Sequence, residues 1–299
     1  DVELALSAVR AGAEVQPATA ATGLVLDGKQ VCGVRIETFG QQMEIRARLV
    51  IAADGAESQV ARWAGLASAT PLADYFSAFE YYLAGVGGKI EADTCEYHLD
   101  ATLAPGGYLW IFPKGEDSAN VGLVVTADRA QGTSLKEKLD AFVEKRFGTV
   151  SVISLIAGGI PVTGALKQMG CDGLLVVGDA AHQADPLSGG GINWGMVGAD
   201  LAASVGVEAL RAGDVSWKKL QAYQHLWQER CGKMHAALYQ IRKIISRMEQ
   251  SRLDGLVQKA AQLPIAEMSL GQIMLAILKN DPRLLFEARS LIATGLILK

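Results

Sequence analysis

Apolar residues recur at helical spacing through VELALSAVRAGAEV and the pattern stops at Gly12. The next stretch, TGLVLDGKQVCGVRIETFGQQMEIRARLVIAADG, alternates as short strands with turns at Asp27-Gly28 and near Phe39-Gly40, which predicts a small antiparallel meander. Its last run, Leu49 to Ala53, reads as a buried strand that ends at Asp54-Gly55 and leads into a short helix, ESQVARWAGL. Between about 70 and 165, the runs YFSAFEYYLAG, TCEYHL, GGYLWIFPKG and NVGLVV predict a second, mostly antiparallel sheet around one helix near 134–147. GLLVV then resumes a buried strand, and beyond residue 190 the pattern is helical to Lys299.

With 299 residues, 50% of them apolar, the chain is long enough for two or three units around a sizeable core. A formal net charge of −4 without blocks of like charge argues against nucleic acid, which demands clustered Lys and Arg. The four cysteines, Cys32, Cys95, Cys171 and Cys231, form no CxxC pair and no Cys/His cluster, so they read as buried free thiols in a reducing compartment, with no metal site. No apolar run reaches the ~18 residues of a membrane span and no signal peptide is visible, so the expected location is cytoplasmic. There is no internal repeat and no low-complexity linker.

The densest chemistry lies in GDAAHQADPLSGGGINWGM, Gly178 to Met196, between the GLLVV strand and an Ala-rich helix. A strand that ends in Gly-Asp and opens through glycines into a helix sets backbone N–H groups and the positive end of the helix dipole at the strand's carboxyl edge. Anionic or electron-rich cofactor groups bind at such edges in open α/β sheets. Asp179 would accept hydrogen bonds from ligand hydroxyls. Read plainly, Gly189, Gly190 and Gly191 only permit a tight turn and close helix packing. Asp54 repeats the arrangement, however, and two such sites flanking an inserted sheet point to one large cofactor held from both sides.

YLWIFP carries the substrate argument. Side chains alternate along a strand, so Tyr108, Trp110 and Phe112 share one face, and Pro113 ends the ladder. Such a triplet is either the ordinary core face of a sheet or the wall of a slot for an extended apolar chain. His182, close to Asp179, is a candidate proton donor or a structural histidine; His98 and His225 are weaker candidates. Trp217, Trp227 and Tyr239 read as core or lid residues whose apolar faces would dock on a membrane if the substrate were a lipid.

VIAADGAESQVARWAGL, YLWIFPKGEDSANVGL, GGIPVTG and LLVVGDAAHQADPLSGGGINWGM, in this order, resemble the geranylgeranyl reductase family. These are flavoproteins related in fold to the p-hydroxybenzoate hydroxylase group. The resemblance implies an α/β fold with an α+β insert: an FAD-binding domain of that type over residues 1–68 and 166–212, an antiparallel-sheet substrate domain over 69–165, and a C-terminal helical region over 213–299. It implies FAD as cofactor, with Asp54-Gly55 near the pyrophosphate, Gly178-Asp179 on the ribityl chain, Pro186 and Gly189 to Gly191 in the cradle, and Gly191 and Ile192 under the pyrimidine edge. Ala21 would touch the adenosine part. Tyr108, Trp110, Phe112 and Pro113 would bind the substrate, a polyprenyl lipid or pigment precursor whose double bonds are saturated. The electron donor would be NAD(P)H or ferredoxin, and peripheral membrane contact is a further expectation.

Two departures stand out. The family's opening βαβ unit with GxGxxG is absent from these residues, so the chain reads as an N-terminally truncated member, with a sheet edge expected to be uncovered. The family's substrate motif closes on Gly-x-Gly, whereas Gly122 is followed by Leu123 and Val124, which would narrow or shift the slot. An FAD-dependent aromatic monooxygenase shares the two Asp-Gly elements, and YLWIFP followed by ANVGL counts against it. A non-catalytic fragment is the remaining alternative. An electron carrier to quinone would need clustered cysteines for an iron–sulfur site.

Overall fold

A computed structural model describes residues 2–67, 69–130, 132 and 134–264. The opening helix α1 (Val2–Arg10) buries none of its residues, although its apolar and polar positions are well segregated. Strands β1 (Thr19–Asp27), β2 (Gln30–Thr38) and β3 (Gln41–Arg46) form the expected antiparallel meander in the order β1-β2-β3. Its turns use Gly28 at φ +59° and Gly40 at φ +76°, where glycine avoids the clash that a Cβ would suffer.

Strand β4 (Val50–Ala52) leads to α2 (Gln59–Trp63). The large sheet is built from β5 (Tyr75–Ala84), β6 (Glu96–His98), β7 (Tyr108–Pro113), β8 (Ser118–Thr126) and β9 (Ser151–Pro161), in the order β6-β7-β8-β5-β9, with all neighbours antiparallel. Helix α3 (Leu135–Phe147) crosses one face of it. Ser134 caps α3 by accepting from Glu137 N at 3.3 Å, and Gly148 at φ +65° ends it. The helix lays Leu139, Val143 and Phe147 against Leu109, Ile111 and Leu123. Alternation along β7 therefore gives these residues to the α3 core and leaves Tyr108, Trp110 and Phe112 on the opposite face.

Two short strands follow, β10 (Gly170–Cys171) and β11 (Leu174–Val176), and β11 pairs in parallel with β4, Leu175 opposite Ile51. Residues more than a hundred apart thus lie side by side, with the large sheet inserted between them. Helix α4 (Ile192–Ala212) packs Ala202, Val205 and Ala209 on this small sheet. Next come α5 (Trp217–Leu220), α6 (Ala222–Trp227), a π-helical turn at Gln228–Gly232, α7 (Lys233–Ile245) and α8 (Gln250–Ala260). The expected helices between 265 and 299 lie outside the described residues.

Several expectations need correction. The strand ending at Asp54 is not fully buried: β4 is the last strand of its sheet among the described residues, and Ile51 is 44% exposed on one face while Ala52 is buried on the other. Of the four free thiols only Cys231 is buried, while Cys95 is exposed in the segment before β6. Trp227, 1% exposed, belongs to the core, as one of the two readings had it, and Tyr239 is half-buried and donates to Asp74 at 2.9 Å. Among the described residues no helix is long and apolar enough to cross a membrane, and no group of His, Cys, Asp and Glu could hold a metal ion.

Candidate functional site

The first half of the site is the turn after β4. Asp54 accepts from Ser58 Oγ at 2.6 Å through Oδ1 and from Val60 N at 3.0 Å through Oδ2. Ser58 in turn caps α2 by accepting from Ala61 N at 3.0 Å. Both oxygens of Asp54 are thus engaged in starting the helix although the residue is exposed, and the backbone turns at Gly55, φ +82°. Ala21 lies exposed beside a register shift in β1.

The second half follows β11. Gly178 takes φ +63° and packs against Gly195 of α4; its N–H donates to Gln183 Oε1 at 2.7 Å. Gln183 is fully buried and donates to Tyr223 Oη at 2.8 Å, and Tyr223 donates to Val176 O at 3.0 Å. A Cβ at Gly198 would sit 2.3 Å from Gln183 Oε1, so this helical glycine makes room for the amide. The Gln183–Tyr223 network escaped the sequence reading; the signal was a Gln within the small-residue run AAHQA directly after a buried strand.

Asp179 differs from Asp54. Its carboxylate accepts no hydrogen bond among the described residues, and burial pushes its pKa above the usual carboxylate value. A Cβ at Gly191 would lie 2.8 Å from Asp179 Oδ1, so only glycine fits there without displacing the carboxylate. Gly189 needs its glycine for φ +75°, whereas Gly190 has an ordinary φ and meets only Ser188 Oγ at 3.2 Å. Asp185 braces the turn by accepting from Leu187 N at 2.7 Å and Ser188 N at 3.0 Å, and Pro186 is buried beneath it. Helix α4 then starts at Ile192, 82% exposed, with no side chain capping its first turn. An unpartnered carboxylate beside the uncapped N–H groups of a 21-residue helix fits a ligand that carries both hydroxyls and negative charge.

His182 sits in the left-handed region at φ +55°, its Nε2 3.4 Å from Thr70 Oγ1. Burial pushes its pKa down, so its ring is neutral at pH 7 and holds the turn rather than an imidazolium proton. His98 lies on the α3 side of the large sheet, lining a cavity of about 860 Å3 with Leu103, Lys138 and Phe142, and His225 is exposed on α6.

The aromatic residues of β7 form one continuous row, with ring centroids 5.8 Å apart for Tyr108–Trp110 and 6.0 Å for Trp110–Phe112. Tyr97 on β6, unforeseen from the sequence, joins them at 5.6 Å from Tyr108 and 5.2 Å from Phe112. Trp110 is 7% exposed, and its Nε1 donates to Glu80 Oε2 at 3.1 Å. Tyr108 donates its hydroxyl to Ser188 O, which fastens the row to the glycine turn. Gly189 completes the junction: a Cβ there would touch Phe76 at 3.5 Å and Ile160 at 3.4 Å. Pro113 ends β7 opposite Ala119. Leu123 and Val124 lie on opposite faces, so only Val124 lines the aromatic side.

This combination of an inserted antiparallel sheet and a parallel strand pair ending in Asp-Gly turns is the p-hydroxybenzoate hydroxylase-like fold of FAD-dependent enzymes. The FAD-dependent chondrochloren halogenase CndH of a myxobacterium superposes with a TM-score of 0.66 at 14% identity, over 93% of this chain and 71% of its own. A geranylgeranyl bacteriochlorophyll reductase-like protein from Thermoplasma acidophilum superposes with a TM-score of 0.90 at 33% identity, over 97% of this chain and 73% of its own. The family model described as geranylgeranyl reductase catalytic domain matches residues 74–160. A digeranylgeranylglycerophospholipid reductase of Methanosarcina acetivorans is 36% identical over 294 residues, 97% of this chain and 72% of the relative. The chain belongs to the geranylgeranyl reductase family, FAD-dependent oxidoreductases that saturate carbon–carbon double bonds of geranylgeranyl chains.

Proposed function

We propose that this protein saturates the geranylgeranyl chains of a glycerophospholipid precursor, the substrate class named for its curated relatives. The observation that carries the reading is the bond from Tyr108 to Ser188 O, which holds the aromatic row of the sheet directly against the glycine turn. Asp179, Gly178, Pro186 and Gly189 to Ile192 form the flavin cradle, with Gly55 and the turn at Asp54 on the pyrophosphate side and Ala21 toward the adenosine. Bound FAD supplies the hydride chemistry there. Asp179 orients the cofactor through its hydroxyls, and the unopposed N–H groups at the start of α4 stabilise negative charge. Tyr108, Trp110, Phe112 and Pro113 align the prenyl chain and exclude water from it. Residues 1–68 and 166–212 act as the cofactor-binding part, 69–165 as the substrate part and 213–299 as a helical flank.

Electrons come from NAD(P)H or ferredoxin, and a lipid substrate favours a peripheral contact with the cytoplasmic face of the membrane. Chemically reduced, FAD-loaded enzyme kept free of oxygen should be reoxidised by a geranylgeranyl lipid, with a product heavier by hydrogen. If oxygen and a phenolic substrate instead give a hydroxylated product while prenyl lipids leave the reduced enzyme untouched, the protein is a monooxygenase and the reading is wrong.

A further inference from the structure

The peptide that leads into the glycine turn is short of local donors. Ala184 is fully buried, and no backbone N–H donates to its carbonyl among the described residues. Pro186, two residues on, has no N–H, and the N–H groups of Leu187 and Ser188 are taken by the Asp185 carboxylate. A buried carbonyl needs a partner, and this one has to find it elsewhere in the fold. His235 on α7 supplies it, with Nε2 3.0 Å from Ala184 O. A carbonyl only accepts, so Nε2 carries the proton.

The same imidazole also meets the far end of the turn. Trp194, in the first turn of α4, stands edge-on to it with ring centroids 5.7 Å apart, and Trp227 stands edge-on at 5.3 Å. Between Ala184 and Trp194 lies the whole glycine turn, closed by the bonds from Asp185 N to Gly190 O and from Gly189 N to Asp185 O. Trp227 and His235 are eight residues apart, which on an ideal α-helix leaves them about 80° out of phase. The π-helical turn at Gln228–Gly232 takes up one extra residue and brings both onto one face. Trp227 Nε1 is buried with no hydrogen-bond partner among the described residues, so the indole is held there for its ring and not for its donor.

We propose that His235 is a positioning residue for the flavin cradle: it holds Ala184 and Trp194 at the two ends of the glycine turn and so sets where the turn and the first N–H groups of α4 stand against the cofactor. The inference rests on the cradle proposed above and gives the helical flank a part in it. Burial pushes the His235 pKa down, so the ring is neutral at pH 7 and its single donor is committed to Ala184 O. A leucine would fill much of the same space but leave that carbonyl without a partner.

The test titrates the full-length protein with FAD in two variants that carry the same amide at different reach. His235→Gln places an amide N–H close to where Nε2 stands, whereas the shorter side chain of His235→Asn falls short of Ala184 O. The first should bind FAD within about threefold of the wild type, and the second should bind it on the order of tenfold more weakly. The reduction potential of the bound flavin should fall in His235→Asn and hold in His235→Gln, because a loosened start of α4 withdraws N–H groups from the negative charge of the reduced ring. Equal affinity and equal potential in both variants and the wild type overturn the role of His235 and leave the cradle intact. A loss of thermal stability in His235→Asn with the potential unchanged also overturns it, since a purely structural histidine would behave in that way. Failure of the wild type to bind FAD would overturn the cradle itself. If His235→Asn does not fold, Trp194→Leu, which removes the anchor at the other end, should lower the potential in the same direction, and an unchanged potential there overturns the proposal.

Discussion

Trp110 lies flat on Gly122: a Cβ added at that glycine would fall 2.3 Å from the indole Cζ2 and 2.8 Å from Phe79 O. The indole can move but the strand carbonyl cannot without breaking β5–β8 pairing. Gly122→Ala should therefore lift Trp110 out of its stack and break its bond to Glu80, at a cost of about 1–3 kcal/mol. Thermal unfolding and near-ultraviolet circular dichroism would show it. An unchanged tryptophan spectrum would mean that the ring is not held by this glycine.

The three successive glycines should respond very differently to one added methyl. Gly191→Ala would force a Cβ to within 2.8 Å of Asp179 Oδ1 and should lower flavin content sharply. Gly189→Ala would be strained at φ +75° by about 1 kcal/mol. Gly190→Ala meets only Ser188 Oγ at 3.2 Å and should be nearly silent. Flavin absorbance per protein in the three purified variants ranks them directly.

Asp179 should reveal its role through pH. Its carboxyl pKa is raised on folding by burial, so the folded apoprotein binds a proton more readily than the unfolded chain does. The penalty for ionising it is fully present above the raised folded value and disappears as pH falls below the unfolded value near 3.8. Asp179→Asn should thus make the apoprotein more stable than wild type at neutral pH, with the difference closing in acid, while the variant retains less FAD. Lower apoprotein stability at neutral pH would assign the carboxylate to the fold instead.

Arg242 joins α7 to the start of the large sheet. It is 3% exposed, donates to Ala73 O at 2.8 Å and Asp74 Oδ1 at 3.4 Å, and sits 5.0 Å above the Phe76 ring. Removing one partner of such a pair leaves the other charge unmatched, so Arg242→Ala should destabilise by about 3–5 kcal/mol, measured by denaturant unfolding. Arg242→Lys should recover only part of this, because an ammonium cannot reach both oxygens in the geometry of a guanidinium.

Much of this was legible along the chain. The period-two alternation of Tyr108, Trp110 and Phe112, the DG and GD elements, and the helix near 134–147 are local signals, and each appears where the pattern predicts. The roles of the two aspartates were not separable in the sequence, since each follows a strand and precedes a helix. Only the fold shows Asp54 satisfied by Ser58 and Val60 N while Asp179 has no hydrogen-bond partner among the described residues. The exposure of Ile51 was equally hidden, because an apolar run does not say whether both faces of the strand are covered.

The sequence by itself determined the elements, the face that each strand presents and the family to which the motifs belong, because side-chain alternation and turn chemistry act over a few residues. Tertiary structure alone decided which of those faces meet. The pairing of Leu175 with Ile51, the tether from Tyr108 to Ser188 O and the placing of Glu80 beneath Trp110 join residues 30 to 124 positions apart. Such contacts depend on how the whole chain closes its cores, and no local pattern encodes that closure.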